Sequence, residues 1–95
     1  MQTSESLASA ILSKEATPRP IYSIAREVYA TWPKINYAAK PYLEAMQSLR
    51  SVKDAYGYDS GIIVVRYFLA NATSWRGADA RRIKAELNAI IKAAQ

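Results

Sequence analysis

Apolar residues recur with helical spacing in three separate segments of this chain. Residues at i, i+3, i+4, i+7, i+8 and i+11 lie on one face of a helix. In the first segment they are Ile21, Ile24, Ala25, Val28, Tyr29 and Trp32. The spacing therefore predicts an amphipathic helix with this face in the core. Proline suits the first turn of a helix and cannot continue one, so we place the start at Pro20 and the end at Pro33.

A second helix is predicted from Pro41 to about Arg50. Its inward face contains Tyr42, Ala45, Met46 and Leu49, and its outward face contains Glu44, Gln47, Ser48 and Arg50. Residues 51–58 follow as a loop or a single turn. Within that loop, Asp54 is a capping candidate and Gly57 is free to adopt a positive φ.

The last helix is predicted to begin at Ala78 or Asp79. Gly77 precedes it and suits the left-handed residue that ends the helix before. The core face of the last helix contains Ile83, Leu87, Ile90, Ile91 and Ala94. A separate polar stripe contains Arg81, Lys84, Asn88 and Lys92.

Residues 60–75 contain the most apolar stretch and admit two interpretations. The stretch from Gly61 to Leu69 is rich in β-branched and aromatic residues, which is typical of a strand. A strand needs a partner, and no other segment shows period-two alternation or a hairpin turn. We therefore favour a buried helix from Ser60 to about Trp75, apolar on nearly all sides, with Asp59 as its N-cap. A strand over residues 60–75 is the alternative.

Arg66 interrupts that apolar stretch. A buried arginine must be paired, so we expect an ion pair with Glu27, Glu44 or Asp59. An unpaired Arg66 in a cleft would instead be an anion-binding candidate.

Residues 1–19 are predicted to form an N-terminal arm. Glu5 to Glu15 could make a short helix capped by Ser4, and Pro18 and Pro20 then break the chain. Residues 20–95 form the single domain, because 95 residues are too few for two separate cores. The predicted fold class is all-α, a small helical bundle of about four main helices. A homodimer is compatible with this small size and with the seven tyrosines.

The composition excludes several kinds of chemistry. The chain has no cysteine and no histidine, which removes disulfides, thiolate nucleophiles, Cys/His metal sites and histidine bases. No carboxylates are paired at a spacing that suggests acid–base catalysis, and no glycine-rich phosphate loop is present. We therefore expect a protein that is not an enzyme and has no cofactor or metal. The N-terminus lacks the basic start of a signal peptide, and residues 62–69 are too few to span a membrane, so we expect a soluble, cytoplasmic protein.

The net charge of +5 is concentrated towards the C-terminus. From Arg66 onward the chain contains six lysines and arginines and only two acids, which gives a local charge of +4. A basic patch can attract nucleic acid or an acidic protein surface, although solvated helices often have the same composition. The corner 73–79 joins two helices as in a helix-turn-helix, with Arg81, Arg82 and Lys84 where base-reading residues would lie. A turn with the same glycine can also join two antiparallel helices of a bundle. We therefore favour this simpler interpretation over a helix-turn-helix.

Two pairs of residues that contain aromatic side chains are candidate contact sites. Trp75 and Arg76 are of residue types that dominate binding hot spots. Trp75 could instead pack against the end of the bundle, with Arg76 stacked across it. Tyr56 and Tyr58 flank a glycine and resemble a platform that stacks bases or partner side chains. Packing of one of these tyrosines under the loop is the simpler alternative.

Four segments carry a resemblance to a known group of proteins. They are Tyr37–Met46, Asp54–Asp59, Tyr67–Ala72 and Trp75–Leu87. In this order they resemble segments of small uncharacterised accessory proteins of bacteriophages and prophages, over most of the chain after residue 20. The resemblance implies a small binder that redirects or blocks a host factor, including components of defence systems. It transfers no functional residue, because the group has no established activity.

The sequence thus predicts a non-enzymatic binding protein that contacts a host protein in the host cytoplasm, as an inhibitor of a host or defence component. The expected contact residues are Trp75, Arg76, Arg81, Arg82, Lys84, Tyr56 and Tyr58. Nucleic-acid binding through the same basic face is the alternative, and no membrane contact is expected.

Overall fold

The structure is a computed structural model that describes residues 18–95. The predicted helix from Glu5 to Glu15 and nearly all of the N-terminal arm lie outside the described residues. Residues 18–95 form a small helical bundle with one short hairpin, which confirms the predicted all-α class. In chain order the elements are α1 Ile21–Thr31, α2 Lys40–Met46, β1 Ala55–Tyr56, β2 Asp59–Ser60, α3 Gly61–Ala70 and α4 Ala78–Ala94.

The helical spacing identified the core faces of α1 and α4. Five of the six predicted residues of the first face are buried, and Ile83, Leu87 and Ile91 of α4 are buried as well. Tyr29 is the exception, with 37% of its surface exposed. At 100° per residue it lies about a quarter turn from the middle of the buried face, so it stays at the edge of the core.

The second helix is shorter than predicted, because α2 ends at Met46. The carbonyl groups of Leu49 and Arg50 accept hydrogen bonds from the N–H groups of Tyr22 (2.9 Å) and Ile21 (3.0 Å). These contacts satisfy two N–H groups at the start of α1 that have no partner within the helix. They also fix residues 49–50 beside the N-terminus of α1. The prediction that this helix continues to about Arg50 was therefore wrong.

A short antiparallel hairpin lies where the sequence predicted a loop. Ala55 pairs with Ser60 and Tyr56 with Asp59. Gly57 has φ +64°, as predicted, and glycine at the first central position suits a two-residue hairpin loop. The hairpin was missed because each strand is only two residues long, too short to show alternation.

Residues 61–70 form a helix, so the strand alternative was wrong. The N-cap is Ser60 and not Asp59: Ser60 Oγ accepts a hydrogen bond from Ile63 N–H at 3.2 Å, while Asp59 pairs with Tyr56 in the hairpin. A Cβ atom at Gly61 would lie 2.7 Å from the carbonyl oxygen of Val52, so the start of α3 packs directly on backbone. Glycine is required there by this close approach.

The far end of α3 also differs from the prediction. The helix ends at Ala70, five residues before Trp75, and Gly77 is the N-cap of α4 instead of the last residue of α3. Gly77 has φ +107° and ψ 180°, a conformation that favours glycine. Its carbonyl oxygen accepts a hydrogen bond from Arg81 N–H at 3.0 Å. Gly77 is therefore the N-cap of α4, and the helix itself begins at Ala78, as predicted.

One face of α3 is exposed, so the prediction of a helix buried on nearly all sides was wrong. Ile63, Arg66, Tyr67 and Ala70 are exposed. They lie opposite the buried residues Gly61, Val64, Val65 and Phe68. Arg66 accordingly faces solvent and makes no ion pair within residues 18–95, which corrects the expected pairing with Glu27, Glu44 or Asp59.

Replacement of the two candidate caps tests the start of α3. We expect Ser60→Ala to lower the free energy of unfolding by about 1 kcal/mol, because it removes the hydrogen bond to Ile63 N–H. Asp59→Ala is the matched control and should cost less, since its side chain caps no helix. Urea unfolding followed by circular dichroism measures both. A larger loss for Asp59→Ala would contradict the assignment of Ser60.

Candidate functional site

Trp75 is part of the core and is not an exposed contact residue. Only 3% of its surface is exposed. Its indole ring stacks on that of Trp32, with 5.3 Å between centroids and 10° between planes. Trp32 meets the edge of Phe68 at 6.3 Å. The alternative in which Trp75 packs against the end of the bundle is therefore correct, and the hot-spot interpretation of Trp75 is wrong.

Lys84 fastens α4 to that aromatic corner. Its Nζ donates a hydrogen bond to the carbonyl oxygen of Trp75 at 2.7 Å. The same atom lies 5.9 Å from the centroid of the Trp75 ring, so Lys84 takes the place that the sequence assigned to Arg76. Burial lowers the pKa of Lys84, and the positive charge of Arg76 lowers this pKa further. Lys84 is thus a structural cation more than a free contact residue.

Arg82 belongs to an ion-pair network that joins α1, α4 and the segment before α1. Arg82 Nη2 lies 2.5 Å from Glu27 Oε2 and 3.0 Å from Asp79 Oδ1. Arg19 lies 2.6 Å from Glu27 and 2.8 Å from Glu86. We call these five residues the Glu27 network. It contains three acids and two arginines, so Arg82 adds no net positive charge to this side of α4.

Glu27 is the centre of this network. Hydrogen bonds from Arg82 and then Arg19 lower the pKa of Glu27 to about 2. The hydrogen bond with Glu27 likewise raises the pKa of Arg82 above its ordinary value. Sequence spacing gave no signal for this arrangement, because Glu27 and Arg82 are 55 residues apart.

Arg76 and Arg81 are the remaining cations of the predicted basic face, and both are exposed. Seven residues, 71–77, separate α3 from α4. A helix-turn-helix joins its two helices by three or four residues. With Arg82 paired and Lys84 bonded to Trp75, the first turns of α4 present fewer charges than the sequence suggested. The geometry departs from a helix-turn-helix.

The hairpin carries the most exposed aromatic residue of the described chain. Tyr58 is fully exposed and Tyr56 is 49% exposed, so neither packs under the loop. Both predicted platform residues are therefore accessible.

The exposed residues of α3 follow the hairpin directly in the chain, since β2 ends at Ser60 and α3 begins at Gly61. Ile63 is 40% and Tyr67 is 51% exposed, and the Tyr67 ring rests on Tyr42 of α2 at 5.4 Å between centroids. Sequence reasoning missed Ile63 and Tyr67, although they lie opposite Val64, Val65 and Phe68 at 100° per residue. We call Tyr56, Tyr58, Ile63, Arg66 and Tyr67 the hairpin–α3 surface.

Neither a metal site nor a membrane span is found in the part of the chain that the structure describes. Residues 18–95 contain no group of acids that could hold a metal ion. No helix among these residues is long and apolar enough to cross a bilayer. No protein-family model matches the chain, and no curated protein or solved structure is significantly similar to it.

Glu27→Gln tests the ion-pair network through pH. In the folded protein the pKa of Glu27 is about 2, below its ordinary value of 4.5, so its stabilisation is complete above pH 4.5 and is lost as the pH falls towards 2. We expect Glu27→Gln to lower the free energy of unfolding by about 1 kcal/mol at pH 7. The difference from the native protein should shrink as the pH falls from 4.5 to 2.

Glu44→Gln is the matched control for this experiment. It removes one acid from an exposed position outside the Glu27 network. Urea unfolding at a series of pH values measures both variants. Equal losses at pH 7, or a Glu27→Gln loss that is independent of pH, would contradict the role of Glu27.

Proposed function

We propose that this protein is a non-enzymatic binding protein that recognises a partner protein through the hairpin–α3 surface. One observation carries the proposal: Tyr56, Tyr58, Ile63 and Tyr67 are all exposed within a stretch of twelve residues. Exposed apolar groups that cluster in this way mark interaction sites more often than isolated ones do. Tyrosine and arginine are also enriched among the residues that dominate binding energy.

The charge of this surface favours a protein over a nucleic acid. Arg66 supplies a positive charge, and Asp59 of the hairpin supplies a negative one close by in the chain. A surface that binds phosphates through counterion release needs several unopposed cations. Large tyrosine and isoleucine side chains with mixed charge suit the core and rim of a protein interface instead.

The positions of the acids support a role without catalysis. Of the six carboxylates in residues 18–95, three lie in the Glu27 network. Asp54 accepts hydrogen bonds from two backbone N–H groups. Glu44 and Asp59 remain exposed to solvent on different elements. General acid–base catalysis is most effective with a pKa near the working pH, and Glu27 is shifted away from it.

The resemblance to phage accessory proteins supports a host protein as the partner. Such a partner would be met in the cytoplasm of the host cell. Inhibition of a host factor or of a defence component is the effect that fits a small protein with an exposed aromatic surface. Masking part of a larger protein needs only an interface, since about 800 Å² on each partner is enough for a stable complex.

Binding of nucleic acid is the second candidate, because Arg76 and Arg81 are both exposed near the start of α4. It predicts a complex in a gel-shift assay at low salt that weakens steeply as salt is added. Charge reversal at Arg81 should then remove the complex. A shift that survives this reversal would exclude the α4 face as its site.

Serine variants of the hairpin–α3 surface, compared with a matched control, test the protein-binding proposal. A partner captured from host lysate is identified by mass spectrometry and purified, and its Kd is measured by calorimetry. We expect Tyr58→Ser and Ile63→Ser each to raise this Kd by about tenfold or more, because each removes an anchor from the interface. Tyr37→Ser is the control, since Tyr37 is 84% exposed but lies outside the hairpin–α3 surface.

The same measurement has two outcomes that would contradict the proposal. An unchanged Kd in both Tyr58→Ser and Ile63→Ser would show that another surface binds the partner. A loss of binding in Arg81→Glu alone would show that the interface lies on α4. Circular dichroism of each variant separates lost binding from lost folding, and Trp75→Ala is unsuitable because its indole is buried.

A further inference from the structure

Tyr22 lies against two guanidinium groups. The Cζ atom of Arg26 is 5.4 Å from the centroid of the Tyr22 ring, and the Cζ atom of Arg50 is 5.9 Å from it. A cation at this distance from an aromatic face is attracted by the ring quadrupole. The ring therefore collects two positive charges that come from different parts of the chain.

Backbone contacts fix this cluster in place. Arg26 follows Tyr22 by four residues on α1, so both lie on one side of the helix. Arg50 is held beside them because Tyr22 N–H donates to the carbonyl of Leu49 and Ile21 N–H donates to the carbonyl of Arg50. The two guanidinium groups are therefore brought together by the main chain as well as by their attraction to the ring.

The charges of this cluster are not neutralised within residues 18–95. Arg19 and Arg82 are paired with carboxylates, whereas neither Arg26 nor Arg50 is. Asp54 is close in sequence, but its Oδ2 accepts from the backbone N–H groups of Arg50 (2.9 Å) and Ser51. Two neighbouring positive charges without an acid favour an anionic ligand.

An open groove of about 360 Å³ adjoins Arg50. Its walls come from the segment before α1, the first residue of α1, the segment after α2, and α4. The apolar walls are Pro18, Pro20, Ile21, Val52 and Ile90. A volume of this size lies at the lower end of the range for ligand clefts. The groove therefore places an apolar slot against Arg50, the residue that it shares with the Tyr22 cluster.

We propose that the groove and the Tyr22–Arg26–Arg50 cluster form a second binding site, for a partner-protein segment with an acidic residue next to an aliphatic one. The planar guanidinium of Arg50 matches a carboxylate in geometry and charge. The apolar walls accept the aliphatic side chain. A nucleic-acid backbone would satisfy the arginines but would leave these walls unfilled.

This site shares no residue with the hairpin–α3 surface, so it goes beyond the proposed function. A partner that used both sites would gain from linked binding events without either site being strong alone. Either site can also fail in experiment without affecting the other.

A titration of the isotope-labelled protein, followed by NMR, tests the second site. The probe is an eight-residue peptide of alternating glutamate and leucine, and the matched peptide carries lysine in place of glutamate. We expect the glutamate peptide to shift the amide resonances of residues 21, 22, 50–52 and 90, and the lysine peptide to leave them unchanged. Arg50→Glu should weaken the binding by about tenfold or more.

Two further variants separate the charge from the apolar walls. Arg26→Gln removes the second guanidinium without reversing a charge, and Ile90→Ser changes one wall; each should weaken the peptide binding. Lys34→Glu is the control, because it makes the same change in net charge as Arg50→Glu at an exposed residue outside the groove. Amide spectra before titration confirm that each variant is folded.

Three outcomes would overturn this proposal. The first is no shift at these residues with the glutamate peptide. The second is equal weakening by Arg50→Glu and Lys34→Glu, which would show only a general effect of charge. The third is tighter binding of a single-stranded oligothymidylate at the same resonances, which would assign the cluster to phosphate.

Discussion

The stacked indoles of Trp32 and Trp75 are the contact on which this bundle depends. Trp32 follows the end of α1, and Trp75 lies in the corner between α3 and α4. The edge of Phe68 brings α3 to the same point, and Lys84 ties α4 to the carbonyl of Trp75. Three helices therefore meet at one aromatic corner. Truncation of a buried aromatic residue of this size typically costs about 3–5 kcal/mol, a large part of the stability of a small domain.

This corner explains why the positive charge does not form one basic face. At this corner Lys84 is bonded to the carbonyl of Trp75. In the Glu27 network, Arg82 connects α4 to α1, and Arg19 connects the segment before α1 to α4. The cations that remain exposed are dispersed over several elements, among them Arg81 on α4, Arg66 on α3 and the pair on Tyr22. Net charge therefore identified a basic protein but could not locate a binding surface. The exposed tyrosines and Ile63 are the observation from which we propose one.

Periodicity predicted the parts of the fold that depend on local spacing. The faces of α1 and α4, the start of α4 at Ala78 and the positive φ of Gly57 were all evident from the sequence. The parts that depend on distant partners were not. Glu27 meets Arg82 across 55 residues, and the close approach of Gly61 to Val52 is invisible without the fold. Tyr56 and Tyr58 are exposed, as the predicted contact role requires, whereas Trp75 is buried, because composition does not show which aromatic residue is covered.

The Trp75 corner is structural, and the tyrosines of the hairpin–α3 surface are accessible to solvent. Photochemically induced nuclear polarisation tests this directly, since a flavin dye polarises only those tyrosine and tryptophan side chains that it can reach. In the unmodified protein we expect polarised signals from Tyr56, Tyr58 and Tyr67 and none from Trp32 or Trp75. A strong signal from Trp75 together with silence from Tyr58 would contradict the account.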